Sequence, residues 1–297
     1  MIQEALLHCS RIGPVRLSRL HDVGLRTWDD MLRHSGSIPF SQCKELVEEC
    51  ERCQQALRES DVRYFVDHLV PQDRWRILHQ YLADTSFFDI ETGGLEHDAP
   101  VTVIACWHKG QLKSFVEHEN LDEFLDLLDD ITLLASFNGS TFDVPRMLDT
   151  FHIPELPCPH LDLRWCCHHH GWKGGLKEIS TNCGIDRPPD LHDADGALAV
   201  QLWNAWIYMQ DVGARARLVR YCASDVILLK LLAHQLVGSN GNGGYDLWSE
   251  LPRAPEEMVR ATSGVRDQSQ AVNFGPGGPS KLRGRRNRRV PESLQDR

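Results

Sequence analysis

Asp89 and Glu91, two residues apart in Phe87-Phe88-Asp89-Ile90-Glu91-Thr92-Gly93-Gly94, are the first residues in this chain whose types and spacing suit catalysis. Side chains alternate across a strand, so both carboxylates leave the same face. Two like charges held that close repel unless a cation lies between them, and a divalent metal bound by oxygen ligands meets that need. Gly93-Gly94 then lets the backbone turn sharply and a ligand approach closely. Taken alone, the pair reads more readily as a strand end with two solvated acids than as a metal site.

Two later segments add to it. Leu133-Leu134-Ala135-Ser136-Phe137-Asn138 reads as a buried strand, and Gly139-Ser140-Thr141-Phe142-Asp143 follows at a helix start. Asp143 can project from that first turn toward the edge of the sheet where Asp89 and Glu91 emerge. Tyr221-Cys222-Ala223-Ser224-Asp225 lies in a late amphipathic helix. Residues i and i+4 share a helix face, so Tyr221 and Asp225 can present a phenol and a carboxylate to one point.

In this order the segments resemble the DEDD-type 3′-to-5′ exonuclease superfamily. Asp89 and Glu91 match its Asp-x-Glu motif, Asn138, Phe142 and Asp143 its second motif, and Tyr221 and Asp225 its Tyr-x3-Asp motif, as in the subgroup with tyrosine there (DEDDy). His160-Leu161-Asp162-Leu163 and Gly174-Gly175-Leu176-Lys177-Glu178-Ile179 are similar to the YprB-like branch. The resemblance covers roughly residues 80 to 236 and implies an α/β, ribonuclease-H-like mixed sheet flanked by helices. It also implies two Mg²⁺ or Mn²⁺ ions about 3.5 to 4 Å apart that cleave a phosphodiester at a 3′ end of DNA or RNA. Asp89, Glu91 and Asp225 would hold one ion, with Asp89 and Asp143 supporting the second. Tyr221 would orient the attacking water, because a phenol of ordinary pKa is a poor base at neutral pH. Thr92, Gly93, Asn138 and Phe142 would contact the terminal nucleotide. Asp162 would have a structural role in the next strand.

The surrounding pattern gives these residues their elements. Residues 1–75 read as a small helical module, with helices through Leu6-Leu7, over Val15 to Asp22 and over Leu46 to Leu57. From about Ser86 the period changes to short strands at Phe87 to Glu91, Val101 to Trp107, Leu112 to Val116 and Leu133 to Phe137. A helix over Leu121 to Asp129, then helices over Leu176 to Cys183, Ala194 to Met209 and Ala214 to Leu236, complete an exonuclease domain at 80–238. Residues 239–297, rich in Gly, Pro, Ser and Arg, read as a linker and a disordered basic tail.

The N-terminal stretch from Leu7 to Leu20, with Val23-Gly24-Leu25, looks like a helix-hairpin-helix. Such hairpins bind DNA phosphates through amides at a glycine turn, so Arg11, Gly13 and Arg16 are the candidate nucleic-acid contacts. Arg11 stands where the first hairpin glycine is expected, and Pro14 offers no amide of its own. Farther along, Lys173 and Lys177, beside Trp172 and Gly174-Gly175, offer charge and a stacking ring to a substrate backbone. Asp190, Asp193 and Asp195 suit helix caps.

The formal net charge of −10 is unevenly spread. Residues 258–297 hold nine basic and three acidic side chains, +6, which leaves −16 for the rest. An acidic body with a basic tail suits a carboxylate-rich site beside a tether with affinity for phosphate. Without a basic segment before a signal-length apolar run, or an apolar run long enough to span a bilayer, the chain reads as a cytoplasmic protein with no membrane partner. The ten cysteines are expected to be reduced, with Cys50 and Cys53 inside a helical pattern and Cys166-Cys167-His168-His169-His170 on a half-buried helix. The alternative to a nuclease is a non-catalytic or complex-dependent nucleic-acid-binding protein of repair or replication, with an unidentified protein partner.

Overall fold

The alternation along Phe87 to Thr92 sets the architecture, because each face of this strand meets a different set of helices. The computed structural model describes residues 1–41, 43–94, 96, 99–239 and 246–254, all within the compact unit Met1–Glu257. Five strands, β1 (Thr85–Thr92), β2 (Val101–His108), β3 (Gln111–Val116), β4 (Leu133–Ser136) and β5 (His160–Asp162), form one sheet in the order β3-β2-β1-β4-β5. β1, β2 and β3 are antiparallel neighbours, while β4 and β5 run parallel to β1 on its other side. Lys109 and Gly110 join β2 to β3 with φ of 47° and 81°. Positive φ at both central residues matches the twist of the strands they connect.

Helices α1 (Pro14–Asp22), α2 (Trp28–Arg33), α3 (Lys44–Glu59), α4 (Val62–His68) and α5 (Trp75–Tyr81) precede the sheet. α6 (Glu123–Leu128) and α7 (Asp143–Phe151) cover one face, packing on Phe88, Ile90, Ile104 and Phe115. α8 (Leu163–His169), α9 (Leu176–Asn182), α10 (Gly196–Met209) and α11 (Val212–Leu236) cover the other, against Phe87, Val103 and Ala105. This mixed sheet between helical layers is the ribonuclease-H-like α/β fold that the sequence implies. Of the linker and tail read over 239–297, all but Ser239 and residues 246–254 lies outside the described residues.

The N-terminal helices share their core with the sheet: Leu6, Trp28 and Phe65 belong to the same apolar cluster as Phe87, Ala135 and Leu229. Arg63 Nη2 donates to the Pro157 carbonyl at 2.7 Å and fastens α4 to the segment before β5. The helix expected through Leu6-Leu7 is instead a 3₁₀ turn at Ile2–Glu4, followed by turns as far as Ile12. Its carbonyls are used elsewhere: Trp28 Nε1 donates to Ala5 O at 2.6 Å, and Arg76 Nη1 donates to Met1 O at 3.0 Å. Burial of Ile2, Ala5, Leu6, Cys9 and Ile12 compensates for the lost helical bonds. α1 then starts with Pro14 in its first turn, where a missing N–H costs nothing. All ten cysteines are free thiols. Cys9, Cys50 and Cys53 are buried beside His8, whose Nε2 lies 3.2 Å from Cys53 Sγ.

Among the described residues no helix is long and apolar enough to cross a membrane. Trp28 is fully buried and stacks on Phe65, with ring centroids 5.9 Å apart. Trp28→Phe should therefore keep most of the packing, strand the Ala5 carbonyl and cost about 2 kcal/mol, read as a lower urea midpoint at unchanged slope.

Candidate active site

Asp89 and Glu91 fall on the face of β1 that meets α11, opposite Ala105 and Val103 of β2. The ladder is irregular between Glu91 and Thr92, so the strand bends where its acids emerge. α11 is apolar on nearly every side, which is why it runs buried through the centre of its layer. Its Tyr221 and Asp225, one turn apart, are buried against that face. Cys222, which carried no weight in the sequence reading, is also buried there. Its thiol donates to Asp89 O at 3.4 Å and lies 3.8 Å from Asp89 Oδ2.

Asp143, the first residue of α7, is brought in by a tight loop after β4. A Cβ on Gly139 would lie 1.9 Å from Ser136 Oγ and 2.9 Å from Ser136 Cβ, so glycine lets the chain pass this close to the end of β4. Asn138 takes a φ of 65° in the same loop. Asp162, at the end of β5, clamps the loop from below. It accepts Asn138 N at 2.8 Å and Ser140 N at 3.1 Å, and it also caps α8 through Arg164 N at 3.0 Å. Its carboxylate is thus fully used in positioning the chain.

The outcome is a cleft of about 220 Å³ lined by Asp89, Glu91, Thr92, Asn138, Phe142, Asp143, Tyr221 and Asp225. Gly93 stands off it, with its amide donated to Pro100 O at 2.9 Å. Arg11 lies in the turn before α1, Gly13 at its N-cap and Arg16 within it, and none of them lines the cleft. Gly13 caps α1 with φ −102° and has open space around its Cβ position, so neither sterics nor backbone demands glycine there. Arg16 donates to Arg11 O at 3.2 Å and lies over the Phe40 ring at 5.1 Å.

Burial and mutual repulsion set the electrostatics. Asp89 is pushed well above the usual carboxylate range by desolvation, then by Asp225, Asp143 and Glu91. Glu91 is raised by burial and by Asp225 and Asp143. Burial also lifts Asp143, to about 7, against hydrogen bonds from its own amide and that of Ile90. Burial likewise raises the Tyr221 phenol, with Asp225 and Glu91 adding to the effect, so it stays protonated. The Cys222 thiol is raised by burial and then by Asp89, which keeps it a donor.

Arg187 lies within this negative field, in the loop between α9 and α10. Its Nη2 pairs with Asp225 Oδ1, Nη1 donates to Ala194 O at 3.2 Å, and its guanidinium lies over the Tyr221 ring at 5.0 Å. A short chain of bonds holds its loop: His192 Nε2 donates to Arg187 O at 2.6 Å, and Lys177 Nζ donates to His192 O. Burial raises Asp225 despite this partner. Sequence reasoning missed Arg187 because a single Arg in Ile185-Asp186-Arg187-Pro188 has no periodicity or spacing that points to the cleft. The contact exists only through the packing of α9 and α10 on α11.

The donor set fits a divalent cation. Four carboxylates line one cleft, Asp225 and Asp143 raise the proton affinity of Asp89 and Glu91, and the carboxylate oxygens are the hard ligands that Mg²⁺ and Mn²⁺ prefer. The neighbouring soft ligand, Cys222, retains its proton. Asp89, Glu91, Asp143 and Asp225 are the residues that would hold such ions.

A sheet of this order with a carboxylate-lined cleft beside its central strand defines a ribonuclease-H-like α/β protein. The chain belongs to the RNase_H superfamily: the family model with that description matches residues 86–237. Among solved structures the chain is similar to the family B DNA polymerase from the hyperthermophilic archaeon Pyrobaculum calidifontis, with 18% identity and a TM-score of 0.43. That match covers 52% of this chain and 24% of the polymerase, so this chain spans about a quarter of the other's length. No curated protein matches it. Superfamily membership together with the acidic cleft supports a nuclease in general terms.

Two substitutions separate stability from the chemistry of the cleft. Asp143 binds protons more tightly folded than unfolded, so ionising it opposes folding increasingly as pH rises from about 4 to about 7. Asp143→Asn should stabilise the metal-free protein by about 2 kcal/mol at pH 8, with little gain at pH 4, in paired thermal melts. Arg187→Gln should do the opposite. It leaves Asp225 buried and unpaired, lowering stability by about 3 kcal/mol at pH 8 and by less at pH 5, where the carboxyl can take up a proton.

Proposed function

We propose that this protein is a metal-dependent 3′-to-5′ exonuclease that hydrolyses phosphodiester bonds of DNA or RNA in the cytoplasm. The observation that carries the reading is the convergence of Asp89, Glu91, Asp143 and Asp225 with Tyr221 in one cleft at the centre of the sheet. Asp89, Glu91 and Asp225 would hold one Mg²⁺ or Mn²⁺ ion, and Asp89 with Asp143 a second. Bound divalent cations supply Lewis acidity and charge neutralisation at the phosphodiester.

The chain's own residues do the rest. Tyr221, held protonated, is a hydrogen-bond partner that orients a water and does not act as a base. Arg187 fixes that ring from one side, and Cys222 fixes Asp89 from below. Phe142, 38% exposed at the mouth, offers a ring face to the terminal base, and Thr92 and Asn138 offer hydrogen bonds to its sugar and phosphate. Polarity from the 3′ end rests on the three-motif pattern. In this reading residues 1–75 are an accessory helical module, residues 80–238 the catalytic domain, and the basic residues of 239–297 a tether for nucleic acid.

End-labelled DNA and RNA, single and double stranded, incubated with Mg²⁺ or Mn²⁺ should release mononucleotides from the 3′ end. Asp89→Asn should lower that rate at least about a thousandfold, and Tyr221→Phe about a hundredfold, with both variants folded. If the wild-type protein releases no mononucleotide from any of these substrates, the reading fails.

A further inference from the structure

A second cluster of metal-binding groups lies among the N-terminal helices, with a chemistry unlike that of the carboxylate cleft. His8 and Cys9 sit in the turns that precede α1, and Glu49 and Cys53 sit one helical turn apart on α3. His8 Nε2 lies 3.2 Å from Cys53 Sγ, 3.8 Å from Cys9 Sγ and 3.8 Å from Glu49 Oε1. Ligands of a tetrahedral zinc ion, each about 2.0 to 2.3 Å from the metal, stand roughly 3.3 to 3.8 Å from one another. His8 is thus at one corner of a tetrahedron of nearly those dimensions. Its nitrogen, a Glu49 oxygen and the Cys53 sulfur all lie within 4.8 Å of one another.

Packing alone accounts for the thiols, because a buried cysteine behaves as a small hydrophobe. It does not account for the imidazole and the carboxylate set among them. The His8 side chain is 2% exposed and that of Glu49 15%, and burying such groups costs free energy unless something binds them. Glu49 is also held in one orientation from outside. Tyr64 Oη donates to its Oε1 and Arg52 Nη2 to its Oε2, and outer hydrogen bonds of this kind orient the ligands of metal sites.

We infer that His8, Cys9, Glu49 and Cys53 hold a structural zinc ion, a reading independent of the nuclease chemistry. One imidazole, two thiolates and one carboxylate form a donor set for Zn²⁺ and not for Mg²⁺. Binding releases one proton from each thiol to solvent, and Arg52 offsets the single negative charge left when three anionic ligands surround the ion. Four protein ligands leave no open position for a substrate, so the ion's role is to hold the chain. It fastens to α3 the N-terminal turns, whose carbonyls are taken by Trp28 and Arg76 and build no helix. Cys50, three residues before Cys53, shares a hydrogen bond with Cys9 and stays outside the ligand set.

The test uses the full chain, fully reduced, with Co²⁺ as the probe in place of Zn²⁺. Cobalt held tetrahedrally by thiolates shows a sulfur-to-metal charge-transfer band and intense visible bands, whereas an oxygen-lined cleft gives neither. Wild-type protein should develop both at about one equivalent of Co²⁺, and added Zn²⁺ should bleach them. His8→Gln and Cys53→Ser should abolish the bands, and Cys9→Ser should weaken the charge-transfer band by removing one of its two thiolates. Tyr64→Phe, which frees the Glu49 carboxylate but keeps the ring, should weaken Co²⁺ binding about tenfold. Cys50→Ala, and Cys222→Ala in the cleft, should leave the bands unchanged.

The inference is overturned if wild-type protein develops no such bands, a result that depends on no variant folding. It is also overturned if the bands persist in both His8→Gln and Cys53→Ser, if Cys222→Ala removes them, or if Cys50→Ala removes them while Cys9→Ser does not. Asp89→Asn should keep the bands in full, so the fate of this site and that of the nuclease reading are measured separately.

Discussion

Desolvation, reinforced by repulsion, of four carboxylates gathered in one cleft, three of them buried and Asp89 half-buried, is the constraint around which the fold is organised. Asp89, Glu91, Asp143 and Asp225 come from a strand, a helix start and a central helix; burial raises all four, and Asp225 and Asp143 make Asp89 and Glu91 harder still to ionise. A protein gains nothing in stability from such a cluster, so every element near it has to hold against it. The apolar layers above and below β1 do most of that work. Arg187 adds a fixed positive charge at Asp225, and Asp162 secures the loop that carries Asp143. Strain concentrated at a site and supported by its surroundings is what a binding site for cations requires.

The support is layered by distance from the acids. Nearest are hydrogen bonds that set direction, such as Cys222 to Asp89 and the amides of Asn138 and Ser140 to Asp162. Next come packing restraints, of which Gly139 against Ser136 is the tightest. Farthest out, the N-terminal helices continue the same apolar core that α11 rests on, so residues near Trp28 contribute to the rigidity of a cleft they do not touch.

How much of this could be read from sequence depended on whether the information was local. Period-two alternation placed β1, β2, β3 and β4 within a residue or two, and the i, i+4 spacing put Tyr221 and Asp225 on one helix. The order of Asp89, Glu91, Asn138, Asp143, Tyr221 and Asp225 allowed the cleft to be named before its shape was known. What escaped was non-local. Arg187 reaches Asp225 across 38 positions, and Cys222 meets Asp89 across 133, and neither leaves a pattern near itself. The failure at Leu6-Leu7 has the same origin, since Trp28 and Arg76 take carbonyls that local periodicity assigns to a helix. Lys173 and Lys177 had looked alike as neighbours on one short segment, and only the fold sends them to different pockets.

The alternation in β1 also gives the strand a parity. Phe87, Asp89 and Glu91 belong to one side, Phe88 and Ile90 to the other, and ladder partners Ala105 and Cys106 keep the same division in β2. Losing one residue upstream of Asp89 would exchange the two sets at once, driving two acids into the aliphatic layer under α6 and two large side chains into the cleft. No single substitution elsewhere could restore the phase. Changes of length around this sheet are therefore admissible only outside its paired strands. The fold tolerates replacement in β1 more readily than displacement.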